Sequence, residues 1–160
     1  MKSFRLCSLT IFTEENNQTT KYDIPLLEGL IINKENPNDH WLIEGLIEKG
    51  FFQFFNDLKD KNETMLVEAT ITSKDNPPAS FVAKVRVIKL NKDQLQLLLE
   101  AKRLTRKDTF SEMILKDLID RGISGEQLLK DFKRIKKERG VEFRKLVEND
   151  IKEMKEKNYF

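Results

Sequence analysis

Cysteine and histidine are almost absent from this chain of 160 residues, which has one of each, Cys7 and His40. One cysteine cannot form an intramolecular disulfide, and one of each cannot supply the four ligands of a structural zinc site. A histidine-based triad would have to use His40, which lies in a turn-forming stretch that matches no catalytic motif. We therefore expect no disulfide framework, no metal and no cofactor, and we interpret His40 as a turn residue.

Glycine and long apolar runs are scarce as well. The six glycines are too widely spaced for a phosphate-binding loop. Apolar runs such as 30–32 and 97–99 have only a few residues, whereas a membrane helix needs roughly 20. The first twelve residues are interrupted by Arg5, Ser8 and Thr10, unlike the apolar core of a secretory signal. We expect a cytoplasmic protein without a membrane span.

Two-residue alternation of apolar and polar side chains dominates the middle of the chain. Residues 65–72 and 81–87 alternate, and Lys74–Pro78 between them is rich in turn formers, which predicts a β-hairpin. Residues 95–101 alternate too, and the short link Asn91–Asp93 suits a second hairpin. Leu95, Leu98 and Leu99 also fit one helical face, so a helix stays open as the alternative to the strand that we favour.

The first 58 residues add four further strands and one helix. Segments 4–12 and 20–25 flank the polar stretch 14–18 and are typical of a hairpin. Apolar segments 26–32 and 41–47 are separated by seven polar, turn-forming residues. Residues 51–58 predict a short helix, which gives about seven strands in all.

The last third of the chain changes to helical spacing. Thr109 with Glu112 has the pattern of a capping box, and Gly122 is placed to end that helix. Ser124 with Gln127 indicates a second helix, and a third is predicted from about Val141. The predicted apolar stripes include Phe110, Ile114, Leu128, Phe132, Phe143 and Ile151.

Strands followed by consecutive helices favour an α+β fold over a doubly wound sheet. We predict a mainly antiparallel, barrel-like or sandwich core over residues 1–105, with one short inserted helix. Residues 106–160 are predicted to form a three-helix tail that docks on this core, because short amphipathic helices are marginal alone.

Two clusters are candidate contact surfaces. Phe51, Phe52, Phe54 and Phe55 are most simply part of the core, and a partner-binding patch is the sharper hypothesis. Trp41 is a further candidate contact residue. Residues 1–101 carry a net charge of −3 and residues 102–160 carry +5, so the tail is the basic half. Acidic residues interrupt its densest patch, which favours a solvated helix face over nucleic-acid binding. That basic patch comprises Lys130, Lys133, Arg134, Lys136, Lys137 and Arg139.

Three carboxylates in predicted structured segments, Glu44, Glu48 and Glu68, could form an acid pair. Glu68 falls on the polar phase of an alternating strand, where a solvated carboxylate is expected. We therefore rank an enzyme with a carboxylate site below an interaction protein.

Three strings resemble the YwpF-like proteins of Gram-positive bacteria: residues 1–6 (MKSFRL), 29–35 (GLIINKE) and 41–44 (WLIE). The resemblance covers roughly residues 1–105 and brings no active-site residues with it. It implies a β-barrel-like core similar to the tube-forming proteins of type VI secretion, with helices alongside. With the missing catalytic constellation, it leads us to expect a non-enzymatic interaction or assembly protein with a protein partner or a second copy as its ligand. Nucleic-acid binding through the basic tail is the alternative.

Overall fold

A closed antiparallel β-barrel forms the centre of the molecule in the computed structural model, which describes residues 1–16, 18–104 and 107–138. The chain forms seven strands, so the predicted strand count is confirmed. They are β1 (Lys2–Glu15), β2 (Gln18–Ile24), β3 (Glu28–Asn33), β4 (His40–Glu48), β5 (Met65–Ile71), β6 (Ala79–Asn91) and β7 (Gln94–Leu104).

Six of the strands close the barrel in the order β1, β3, β4, β7, β6, β5, with β5 returning to β1. Residues 9–12 of β1 pair with β2 and β5 at once, so these two strands lie on opposite edges of β1. Residues 2–5 of β1 pair with β3, which lies on the same edge of β1 as β2. Strand β2 therefore lies outside the closed ring, and the barrel alternative is correct rather than the sandwich.

Both predicted central hairpins are present. Strands β5 and β6 pair with Met65 opposite Ala83, and β6 and β7 pair with Asn91 opposite Gln94. The strand prediction for 95–101 is confirmed, because Leu95, Leu97, Leu99 and Ala101 all point into the buried core.

One end of the barrel is closed by the predicted helix. A 3-10 turn, Lys49–Phe51, leads into α1 (Phe52–Asp60). Phe55 is 0% exposed in the core, and Phe54 packs edge-on against its ring with the centroids 4.9 Å apart. The amphipathic spacing of this helix thus places its aromatic face against the barrel end that the helix covers.

Strand β5 contradicts the expectation of a half-exposed strand. Its residues 65–70 are all buried, and Glu68, which we expected in solvent, is only 5% exposed. The alternation correctly places Val67 and Ala69 in the core, where both are fully buried. Alternation identifies the inward face of a strand but carries no information on what covers the other face, and here that face is buried too.

Two helices follow the barrel, α2 (Lys107–Asp120) and α3 (Gly125–Glu138). Helix α2 begins two residues before the predicted cap at Thr109. It ends as predicted: Gly122 has a φ of +81°, and the Gly122 and Ile123 amides donate to the carbonyl oxygens of Ile119 and Leu118. The second helix begins directly after Ser124, also as predicted.

Helices α2 and α3 pack on each other through their apolar stripes. Ile114, Leu118 and Ile135 are buried there, with Ile123, Leu128 and Phe132 against them. The predicted third helix from Val141 lies outside the described residues, and docking of the tail on the barrel stays a prediction. None of the described helices is long and apolar enough to cross a membrane.

Candidate functional surfaces

The carboxylates singled out from the sequence do not meet in one place. Glu44 and Glu48 are exposed on β4, four residues apart, which corresponds to roughly 13 Å along a strand. Glu68 lies on β5, which is not a neighbour of β4 in the sheet. His40 is at the opposite end of β4 from Glu48, and its backbone N–H donates to Asn36 Oδ1 at 3.1 Å. The four candidates thus form no acid–base pair.

Glu44 instead has a carboxylate neighbour that the sequence analysis did not select. Glu28 lies opposite Leu46 on the adjacent strand, which makes it the diagonal neighbour of Glu44 on the same face. Both side chains are open to solvent, so the pair is not enclosed as the raised-pKa carboxyl of a general acid is.

A shallow groove of about 400 Å³ runs over this outer face of the barrel. One row across it places Leu30, Glu44, Leu98 and Val87 side by side, from β3 to β6. The next row contains Glu28, Leu46, Gln96 and Lys89. The groove therefore has apolar walls with charged groups between them.

Sequence reasoning missed the groove because the apolar members stand in the polar phase of their strands. Leu98 falls between the inward Leu97 and Leu99, so alternation alone assigns it to the outside without a role. The sequence signal that could have revealed the groove is a strand with apolar residues at both its inward and its outward positions. Val87 comes outward for another reason: the register shifts between Val85 and Val87, so a bulge at Arg86 reverses the phase.

The aromatic candidates lie mainly in the core. Trp41 is buried between Phe4 and Phe81, with ring centroids 6.5 and 5.5 Å away, and the Arg103 guanidinium lies 5.7 Å from its ring centre. In α1, Phe55 is buried, while Phe51 and Phe52 are partly exposed at the barrel end. A partner contact through these residues stays a prediction.

The basic patch is described only in part. Lys130, Lys133 and Arg134 are exposed on α3, and Arg134 lies 3.8 Å from the carboxylate of Asp131. Asp131 also accepts a hydrogen bond of 2.8 Å from Gln127. The side chains of Lys136, Lys137 and Arg139 lie outside the described residues.

The outer edge of β2 is a further surface that the sequence did not reveal. In the described part of the chain, β2 pairs with β1 alone. Strand β4 ends at Glu48, where the chain turns into α1, and Phe54 of that helix packs on Tyr22 of β2 at 4.6 Å. Phe54 thus covers the face of β2 on which Tyr22 lies, whereas the β2 edge away from β1 has no ladder in the described part of the chain.

These features define a small antiparallel β-barrel with one strand outside the ring and a helical hairpin after it. The family model described as YwpF-like protein matches residues 2–135, and the chain belongs to this family. The match extends through α2 and along α3 to residue 135, beyond residue 105, up to which the resemblance was estimated from the sequence.

Two relatives support the family assignment. The chain is 37% identical over 134 residues to a Bacillus subtilis (strain 168) protein named "Uncharacterized protein YwpF", covering 84% of this chain and 98% of that one. It also resembles the crystal structure of a hypothetical protein from Staphylococcus aureus, with a TM-score of 0.61 and 32% identity over 84% of this chain and 92% of the other. Neither relative's name states an activity.

Proposed function

We propose that this chain is a non-enzymatic assembly protein whose partner is a second copy of itself. The observation that carries the proposal is the outer edge of β2, which pairs with no strand among residues 1–16, 18–104 and 107–138, beside an otherwise closed barrel. Closing a barrel removes sheet edges, and an edge that remains presents backbone N–H and C=O groups to another strand. Oligomers of soluble proteins are most often symmetric pairs of one chain.

Two further features support the proposal. The groove side of the barrel exposes large apolar side chains, among them Leu30 and Val87, as surfaces that meet other proteins do. The carboxylates considered for catalysis are dispersed over the molecule, so the arrangement favours contact over chemistry. Ring or tube formation, which the resemblance to type VI secretion proteins implies, stays a prediction.

Sedimentation velocity between about 1 and 300 μM tests the proposal, since weak strand-edge contacts fall in this range of dissociation constants. We expect the mass to rise from one chain to two as the concentration increases. A mass of one chain at every concentration would remove the proposal. The mass is read directly, so the measurement needs no assumption about which surface is used.

A further inference from the structure

The charges on β2 decide how two copies would pair, which extends the proposed self-association to a specific register. Lys21 and Asp23 stand on either side of Tyr22, with side chains 52% and 74% exposed. They point away from the face on which Tyr22 meets Phe54, because successive side chains alternate across a strand. One positive and one negative charge thus lie two residues apart on the outer face.

The Asp23 carboxylate is held in place from the neighbouring strand. Thr10 lies opposite Asp23 in the β1–β2 ladder, and its hydroxyl donates to Asp23 Oδ1 at 2.8 Å. Lys21 Nζ lies 4.0 Å from the same oxygen. The negative charge is therefore fixed on the sheet, whereas the exposed lysine can reach a second acceptor.

A symmetric antiparallel pair of β2 edges has few possible registers. Its two-fold axis is perpendicular to the sheet, so the outer faces of both copies lie on the same side. Because side chains alternate between the two faces, an outward residue can only lie opposite another outward residue, and the allowed registers differ by shifts of two residues. Centred on Tyr22, the pair places Lys21 opposite the partner's Asp23, and Asp23 opposite the partner's Lys21. Centred on Lys21 or on Asp23, it places identical charges opposite each other.

We propose that two copies of this chain pair through antiparallel β2 edges in the register centred on Tyr22. Opposite charges directly across a ladder stabilise it and like charges destabilise it, so the two cross-strand ion pairs select this register. The backbone ladder joins the two sheets into one. Two seven-residue strands form a contact below the size of a standard stable interface, which predicts a dimer that forms only at micromolar or higher concentration.

Charge reversal tests the register. In Lys21→Asp, two carboxylates would face each other at both ends of the contact, and we expect dimerisation to weaken at least about tenfold. The exchange variant Lys21→Asp with Asp23→Lys restores opposite charges across the pair and should recover most of the affinity. Lys74→Asp reverses an exposed charge in the β5–β6 turn and serves as the matched control with unchanged dimerisation.

Disulfide formation locates the register directly. In a Cys7→Ser background, Lys21→Cys chains mixed with Asp23→Cys chains should form the mixed disulfide faster than either forms a disulfide with itself, because position 21 faces position 23 of the other copy and neither faces its own equivalent. A parent protein that is monomeric throughout overturns both this register and the proposed function. A dimer that tolerates Lys21→Asp, or that links position 21 to position 21, leaves self-association standing and overturns the register.

Discussion

Gly29 on β3 passes so close to Leu6 on β1 that a β-carbon at position 29 would lie 2.8 Å from the Leu6 β-carbon and 3.0 Å from its carbonyl oxygen. The contact lies beside the point where β1 shifts register against β5, between Leu6 and Ser8. Both atoms belong to or sit directly on the backbone, so neither can move aside without moving a strand.

Gly29→Ala should therefore destabilise the barrel, by about 1–3 kcal/mol in the free energy of unfolding, as overpacked core sites do. Gly50→Ala is the control, because no atom lies within 4 Å of a β-carbon there. Urea denaturation of both variants measures the difference. Equal stability of the two would mean that the strands separate at this point without cost.

Phe55→Ala should lower the free energy of unfolding by roughly 3–5 kcal/mol, since a fully buried ring leaves a cavity at the closed end of the barrel. Gln53→Ala changes an exposed side chain on the same helix and should stay within about 0.5 kcal/mol of the parent. If both variants melt like the parent protein, α1 does not stabilise the barrel end.

The helical hairpin offers a matched pair of leucines. Leu118 is 1% exposed between α2 and α3, whereas Leu129 is 55% exposed. Leu118→Ala should lower the free energy of unfolding by about 2–5 kcal/mol, and Leu129→Ala should leave it almost unchanged. Thermal unfolding measures the difference.

Hydrogen exchange on Leu118→Ala tests whether the tail docks on the barrel. Loss of amide protection in α2 and α3 together with the barrel supports docking, and loss in the helices alone contradicts it.

Acid should weaken the contact between the start of the chain and the loop after β3. The Met1 amine donates to Glu35 Oε2 at 2.7 Å, and Lys2 lies 3.4 Å from the other oxygen. The hydrogen bond from the amine, followed by that from Lys2, lowers the pKa of the Glu35 carboxyl below its ordinary value. A carboxyl with a lowered pKa in the folded state contributes stability above its unfolded pKa, and this is lost as the pH falls through the folded pKa.

An NMR titration of the Glu35 carboxyl checks this directly. We expect its pKa to lie below the ordinary value and to rise when the Met1 amine is acetylated, because the largest cause of the shift is then removed. In Glu35→Gln, which has no carboxyl at this position, the contribution of this contact to stability should not change over the same acid range. A pKa that is insensitive to acetylation would assign the shift to another group.

The basic patch is predicted to bind no nucleic acid specifically. Phosphate-driven binding weakens steeply with salt, and Arg134 already has Asp131 beside it. Fluorescence titration with a duplex and a single strand at about 50 and 200 mM salt should show at most weak binding at the lower concentration. Sub-micromolar binding at the higher salt that is lost in Lys130→Glu with Lys133→Glu would establish the nucleic-acid alternative.

The sequence determined the local elements of this protein. Alternation identified the strands and the inward set in β7, the Asn91–Asp93 link indicated its hairpin, and the capping and glycine signals located the turn between α2 and α3. These features depend on neighbours a few residues apart, and such interactions are encoded directly in the order of residue types.

Only the tertiary structure decided which surfaces are covered and which are open. The burial of Glu68, the groove around Leu98 and the exposed edge at Lys21 depend on which distant strands become neighbours. Strand pairing is long-range: β1 meets β5 some sixty residues away, and β2 pairs with β1 alone in the described part of the chain. The alternating pattern specifies the two faces of each strand, whereas the closure of the barrel specifies what each face and edge encounters.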